Sequence, residues 1–205
     1  MNKVLVLVLL LVILVGVTVA LFISPFLKQK ELDRELHSKM LIGLSDFKGH
    51  YSLLQYRPRT IDEIGDYSKE LGWKGGYHAL YKKTGYIFPV EEAVFLMQDN
   101  SIYPIENISK TMVYFRDHPS YTTIGLDGET WNLSIIKTPE EIKSVGDDIV
   151  AYEGSAIFNG KPLHSFSAYF IKGDVFQAAT LSGDEKVVSI DELIDYVKII
   201  NNLTS

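Results

Sequence analysis

Cysteine is absent from the 205 residues, which removes disulfide staples, thiolate nucleophiles and thiolate metal ligands from the chemistry open to this chain. Stability must come from a packed core alone. Histidine is scarce, and His37, His50, His78, His118 and His164 show no paired spacing that would aim two imidazoles at one zinc ion. No Gly-Lys-Ser/Thr comes after Gly72, Gly75 and Gly76, so these glycines are not a phosphate cradle. Asp127-Gly128-Glu129 and Asp147-Asp148 lack the alternating oxygen ligands of a calcium loop. No metal or other cofactor is expected. An excess of positive charge is also missing: the formal net charge is -6, and the part beyond the first apolar segment, with Lys3 set aside, stands at -7. Nucleic acid is therefore not an expected partner.

What the chain does have is one long apolar run. Val4 to Ile23 carries no charge, and only Gly16 and Thr18 interrupt it. Twenty helical residues span about 30 Å, the hydrocarbon thickness of a bilayer. Residues 1–25 are read as a transmembrane signal anchor, with the lipid bilayer as partner through residues 4–23. A cleaved signal peptide is the rival reading, since Thr18-Val19-Ala20 offers small residues near a cut. Signal peptides usually have an apolar region of about 7–15 residues, which favours the uncleaved anchor. Lys28, Lys30, Arg34 and Lys39 lie beyond the run whereas Lys3 alone precedes it, so positive-inside counting pulls the domain toward the cytoplasm. A very short tail before a long apolar run is the arrangement of a signal anchor that exports the domain C-terminal to it. The expected location is a single-pass membrane protein with an extracytoplasmic domain.

Residues 26–205 are of a size for one domain with its own core, and no repeat, low-complexity tract or Gly/Ser linker divides them. Residues 26–48 read as a helical stalk or as the domain's first helix, with Leu32, Leu36, Met40 and Leu44 at four-residue spacing. Thr60 and Glu63 have capping-box spacing before Ile61, Ile64, Tyr67 and Leu71, and Gly72 offers a stop. Alternation from Gly76 to Lys83 predicts a strand. Residues 86–114 give no single answer: Glu91 to Gln98 could form a short helix, and Ser101 to Ile108 looks like loop. Farther on, Asp127-Gly128, Asn159-Gly160 and Gly173-Asp174 separate alternating runs as hairpin turns. Thr138-Pro139 opens a short helix ending at Gly146, and Ser189 with Glu192 caps a final helix carrying Ile190, Leu193, Ile194, Val197 and Ile200. The expected fold class is α+β: an antiparallel sheet with helices packed on one face, preceded by a transmembrane helix.

Gly146-Asp147-Asp148, then Tyr152, the hairpin Tyr169-Phe170-Ile171-Lys172-Gly173-Asp174-Val175, and a helix beginning Ser189-Ile190-Asp191-Glu192-Leu193 resemble extracytoplasmic domains of the PsbP/Mog1-like type over about the last sixty residues. In that type a similar hairpin often reads aromatic-Arg-Lys-Gly-Asn, so Ile171 and Asp174 depart from it. The resemblance implies an antiparallel sheet flanked by helices in a protein that binds or assembles rather than catalyses; function does not follow from fold alone.

Ser45-Asp46-Phe47-Lys48 and Lys83-Thr84-Gly85 mimic two motifs of penicillin-binding enzymes, but the third motif between them is missing. No catalytic residue is singled out, and the chain is read as binding or assembling rather than enzymatic. Nine of the twelve tyrosines lie between Tyr51 and Tyr121; tyrosine suits half-buried strands and binding surfaces alike. A binding surface would draw on Arg57, Arg59, Trp73, Tyr77 and Tyr81. Asn107, Asn132 and Asn202 each begin an N-glycosylation triplet. The expected function is a membrane-anchored extracytoplasmic binding or assembly module in a membrane protein complex or with a free ligand. A pilin-like filament or secretion subunit, and a hydrolase with scattered catalytic residues, are the alternatives.

Overall fold

The structure is a computed structural model that describes residues 25–84, 94–124 and 128–204. The apolar run Val4 to Ile23 lies outside these residues; among the described residues no helix is long and apolar enough to cross a membrane.

Eight strands form a single antiparallel sheet: β1 (Tyr51–Pro58), β2 (Tyr77–Lys83), β3 (Phe95–Ile102), β4 (Ser120–Ile124), β5 (Thr130–Ile136), β6 (Asp148–Phe158), β7 (Lys161–Lys172) and β8 (Val175–Asp184). Their spatial order is β1-β2-β3-β8-β7-β6-β5-β4. Two meanders are thus joined where β3 meets β8. The helices are α1 (residues 25–38), α2 (Asp66–Glu70), α3 (Ile105–Asp117) and α4 (Ile190–Leu203). Because β3 is central and β4 is an edge strand, the chain between them must cross the sheet. Helix α3 makes that crossing over β8, β7 and β6.

The α+β class and the antiparallel sheet are as expected, but the helices are not confined to one face. Side chains alternate along a strand, and the two parities of β7 and β8 enter different cores. Ala168, Phe170, Ala179 and Leu181 join Leu36 of α1 and Leu193, Val197 and Ile200 of α4. Ile171, Phe176 and Ala178 join Ile108 and Met112 of α3. Two apolar parities on the same strands demand cover on both sides, which a single helical layer cannot supply.

Local differences have similarly concrete causes. The four-residue spacing from Leu32 to Leu44 does not yield one helix: α1 stops at Ser38 and Met40 takes φ 58°. Met40 N–H donates to His37 O at 2.9 Å and Leu41 N–H to Leu36 O at 2.9 Å, the two bonds of a Schellman cap built without glycine. Buried amides of β3 hold it. Gln98 donates to Met40 O and accepts from Ile42 N–H, both at 2.9 Å, and Asn100 donates to Lys39 O at 2.6 Å. Leu36, Leu41 and Ile42 are completely buried, so the end of the 26–48 segment belongs to the domain core, whereas residues 25–31 are exposed.

The helix expected from Thr60 is broken into a single 3-10 turn (Ile61–Glu63) and α2, because Ile64 is extended and Gly65 restarts the chain as N-cap. Glu63 does meet Thr60, whose Oγ1 donates to Glu63 Oε1 at 3.1 Å, and Arg57 Nη1 donates to the same carboxylate at 2.7 Å. Gly72, at φ +79°, does supply the stop. In the ambiguous stretch, Phe95–Ile102 is strand, and the expected loop from Ser101 to Ile108 is divided between the end of that strand and the first turn of α3. The helix expected after Pro139 is one 3-10 turn, Glu140–Ile142. Ser189 caps α4 by accepting from Asp191 N–H at 3.2 Å, but Glu192 turns instead to Tyr51, Tyr196 and Lys83.

Candidate functional site

Helix α3 covers only part of its face, and what it leaves open is a groove of about 340 Å³. Strands β3, β8 and β7 make the floor with Met97, Asp99, Ser101, Phe176, Ala178, Thr180 and Tyr169. One wall is α3, through Thr111, Tyr114 and Phe115. The other is the turn into α2, through Ile64, Gly65, Tyr67 and Ser68. The volume lies within the range of small-molecule sites.

The groove divides into an aromatic part and a polar part. Phe115 stacks on Tyr169 with ring centroids 4.5 Å apart and on Phe176 at 5.7 Å. Tyr67 and Tyr114 stack at 5.0 Å, joining the two walls, and the Tyr67 hydroxyl donates to Lys110 O at 3.3 Å. The Tyr121 and Tyr169 hydroxyls meet at 3.0 Å. Burial raises the pKa of both, so they remain protonated hydrogen-bonding groups at neutral pH. Beneath α3, the Tyr152 hydroxyl lies against the carbonyls of Phe115 and His118 and its pKa is pushed up to about 12, chiefly by burial. That contact fixes the C-terminal end of the α3 wall to β6.

At the polar part, Arg59 Nη1 donates to Ser101 Oγ at 2.9 Å. Arg59 makes no ion pair with a carboxylate among the described residues. Two positions away along β3, and on the same face, Asp99 accepts from His78 Nδ1 at 2.7 Å; a carboxylate partner assigns the proton to that nitrogen. His78 is buried, and its Nε2 has no hydrogen-bond partner among the described residues. An Asp–His pair with no hydroxyl or thiol on the second nitrogen is not an assembled nucleophilic triad. Groups of three or more His, Asp or Glu side chains able to hold a metal are absent among the described residues.

Of the residues singled out from sequence, Arg59 alone lines this groove. Arg57 is paired with Glu63, and Trp73 is half-buried beside the α3 core. Tyr77 and Tyr81 point to the opposite face: Tyr77 stacks on Tyr56 at 6.0 Å, and Tyr81 is fully buried with its hydroxyl donating to Ile42 O at 2.6 Å. Tyr81 is therefore a core residue and not a surface one. Parity explains the separation, since Tyr77, Ala79 and Tyr81 share one side of β2 and His78 the other. Asp99, Ser101, Thr111 and Tyr114 lie in the stretch 86–114 that gives no single answer from sequence, and Phe115 lies just beyond it; for Asp99 and Ser101 the alternation of Met97, Asp99 and Ser101 with Leu96, Gln98 and Asn100 is the available signal. Asn132 and Asn202 are exposed, whereas Asn107 is half-buried and its amide donates to Leu71 O at 3.1 Å. Lys48 and Lys83, from the two enzyme-like motifs, are paired with Asp195 and Glu192 of α4.

The fold and the groove define a class: an antiparallel α+β domain with a small-molecule-sized cleft beneath a crossing helix. No protein-family model matches the sequence, and no curated protein matches it. Among solved structures, the chain is similar to the extracellular domain of PknH from Mycobacterium tuberculosis, with a TM-score of 0.54 and 9% identity, over 82% of this chain and 95% of that one. At that identity the likeness concerns the fold alone.

Proposed function

We propose that this protein is a membrane-anchored, extracytoplasmic domain that binds a small ligand in the groove under α3 and performs no catalysis on it. The observation that carries the reading is a cleft with aromatic walls and convergent polar groups, the usual composition of a ligand site. The fold it shares with an extracellular domain supports the location. So do the apolar run at residues 4–23 and the exposed Phe26 and Leu27 at the start of α1, where side chains of this kind suit a membrane boundary. The β7–β8 hairpin and the Ser189-capped α4 also form as the PsbP/Mog1-like resemblance implies, which supports a binding or assembly role by analogy only.

Two experiments test this. Because the chain has no cysteine, a single Asn202→Cys reports sidedness by labelling intact cells with a membrane-impermeant maleimide; protection until lysis overturns the extracytoplasmic placement. For binding, the full chain in nanodiscs is screened by thermal shift against a metabolite library. Ligands of the groove raise Tm in the wild type and not in Ala178→Leu, whose side chain fills the floor. Ester, peptide or glycoside turnover by the full chain, abolished by His78→Gln, would overturn pure binding in favour of the hydrolase alternative.

A further inference from the structure

Resting on that binding reading, the charges of the groove specify the kind of ligand. Its lining contains one cation and one anion, Arg59 and Asp99, and these make no ion pair with each other. Arg59 is half-buried, its guanidinium donates to the Ser101 hydroxyl, and it has no carboxylate partner among the described residues. Asp99 is engaged through Oδ1 by His78 Nδ1 at 2.7 Å, a bond that orients the carboxylate toward the groove floor. Residues two apart on a strand are about 7 Å apart on one face. Asp99 and Ser101 thus stand about two residues' rise apart on the groove face, and the guanidinium of Arg59, held on Ser101, lines the same groove as Asp99 without pairing with it.

A purely anionic amphiphile placed here would meet Arg59 favourably and Asp99 unfavourably, and a cationic one the reverse. A ligand with both charges satisfies both. The rest of the lining is apolar and aromatic: the stacked Phe115, Tyr169 and Phe176 with Met97 and Ala178. We infer that the groove takes a zwitterionic α-amino acid with an aromatic or long aliphatic side chain, its carboxylate on Arg59, its ammonium on Asp99, and its side chain among the stacked rings. Arg59 offers planar donors suited to a carboxylate. The site then recognises the head by charge and the tail by burial, and polar or acidic amino acids are excluded because their side chains would lose water to aromatic walls.

The test uses the full chain in nanodiscs and isothermal titration with L-phenylalanine, L-tyrosine and L-leucine, each beside the half-blocked probes N-acetyl-L-phenylalanine and L-phenylalanine amide. Wild type is expected to bind at least one of the free amino acids, and each blocked probe about tenfold or more weaker, since each leaves one charged group of the site unpaired. Arg59→Gln removes the preference for L-phenylalanine over its amide. Asp99→Asn removes the preference over the N-acetyl form. Should Asp99→Asn disturb folding through His78, the wild-type comparison of the two blocked probes still decides the matter. Phenylacetate or decanoate binding as tightly as the free amino acids overturns the zwitterion but leaves the binding groove standing. Failure of all three amino acids overturns the ligand assignment, while the library screen separately decides whether the groove binds anything.

Discussion

The two faces of the sheet are covered in different ways. On the α1/α4 face, Phe170, Leu181, Val197 and Ile200 are completely buried, and so are the polar side chains Gln98, Asn100 and Gln177. There the chain entering from α1 is tied to β3 through side-chain amides. On the α3 face, one helix and a short turn leave space between them, and aromatic rings line it. Close packing on one side supplies stability, which frees the other side to keep an open cleft. β3 belongs to both, with Gln98 and Asn100 on the tied side and Asp99 and Ser101 on the open one.

The largest expected effect is on the close-packed face. Phe170→Ala removes a fully buried ring and should cost about 3–5 kcal/mol in urea unfolding, a large share of the stability of a domain this size. A loss well under that would mean that this face is not the tighter of the two.

Gln98→Ala comes next. It orphans the buried Ile42 N–H and Met40 C=O and should cost about 1–3 kcal/mol, with faster hydrogen exchange at Ile42. Unchanged exchange there would show that the α1 cap does not depend on β3.

Smaller still is the contribution of the polar cluster at Glu192, where α4 meets β1 and β2. Burial pushes its carboxyl up, but hydrogen bonds from Lys83, Tyr196 and Tyr51 outweigh that and hold its pKa below the ordinary value. A lowered folded-state pKa gives stability that is present above the unfolded value, about 4.3, and lost as pH falls through the folded one. Burial raises Tyr51, Tyr81 and Tyr196, so their contribution is complete below about pH 10 and declines as pH rises beyond it. Urea midpoints measured across the acid and alkaline ranges should fall at both ends. Glu192→Gln should lower stability by about 1–2 kcal/mol at neutral pH and flatten the acid limb; an unaltered limb would assign it to other carboxylates.

The smallest stability effect belongs to the open face. Ala178→Leu should cost less than the roughly 1–3 kcal/mol of an overpacked core, because Ala178, though packed in the α3-side core, also borders the cleft and part of the added side chain enters it, while abolishing ligand-induced thermal shifts. A penalty of the size found in overpacked cores would remove the contrast between the faces.

Hairpins were the most legible part of the fold. Asn159-Gly160 and Gly173-Asp174 mark the β6–β7 and β7–β8 turns, with Asn159 at φ 50° and both glycines at positive φ, a backbone requirement written in residue type. Helix α3 was less legible, because its buried side Ile108, Thr111, Met112 is short and polar residues surround it. The groove was scarcely legible at all. Arg59 was marked, but Tyr77 and Tyr81 were marked with it although they face the other core, since a tyrosine's composition says nothing about which side of a strand its neighbours will occupy.

Sequence by itself determined the apolar run at residues 4–23, the antiparallel hairpins of the second half, the amphipathic α4 and the absence of cysteine thiols, all of which are local patterns of residue type. Only the tertiary structure decided that β3 inserts beside β8, that α3 must then cross the sheet, and that helices cover both faces. Those outcomes arise from pairing between residues far apart in the chain, as Asp99 with Ala178 and Gln98 with Ala179. Only that pairing brings Arg59, Asp99, Phe115 and Tyr169 to one groove, because no local pattern encodes which distant strands become neighbours.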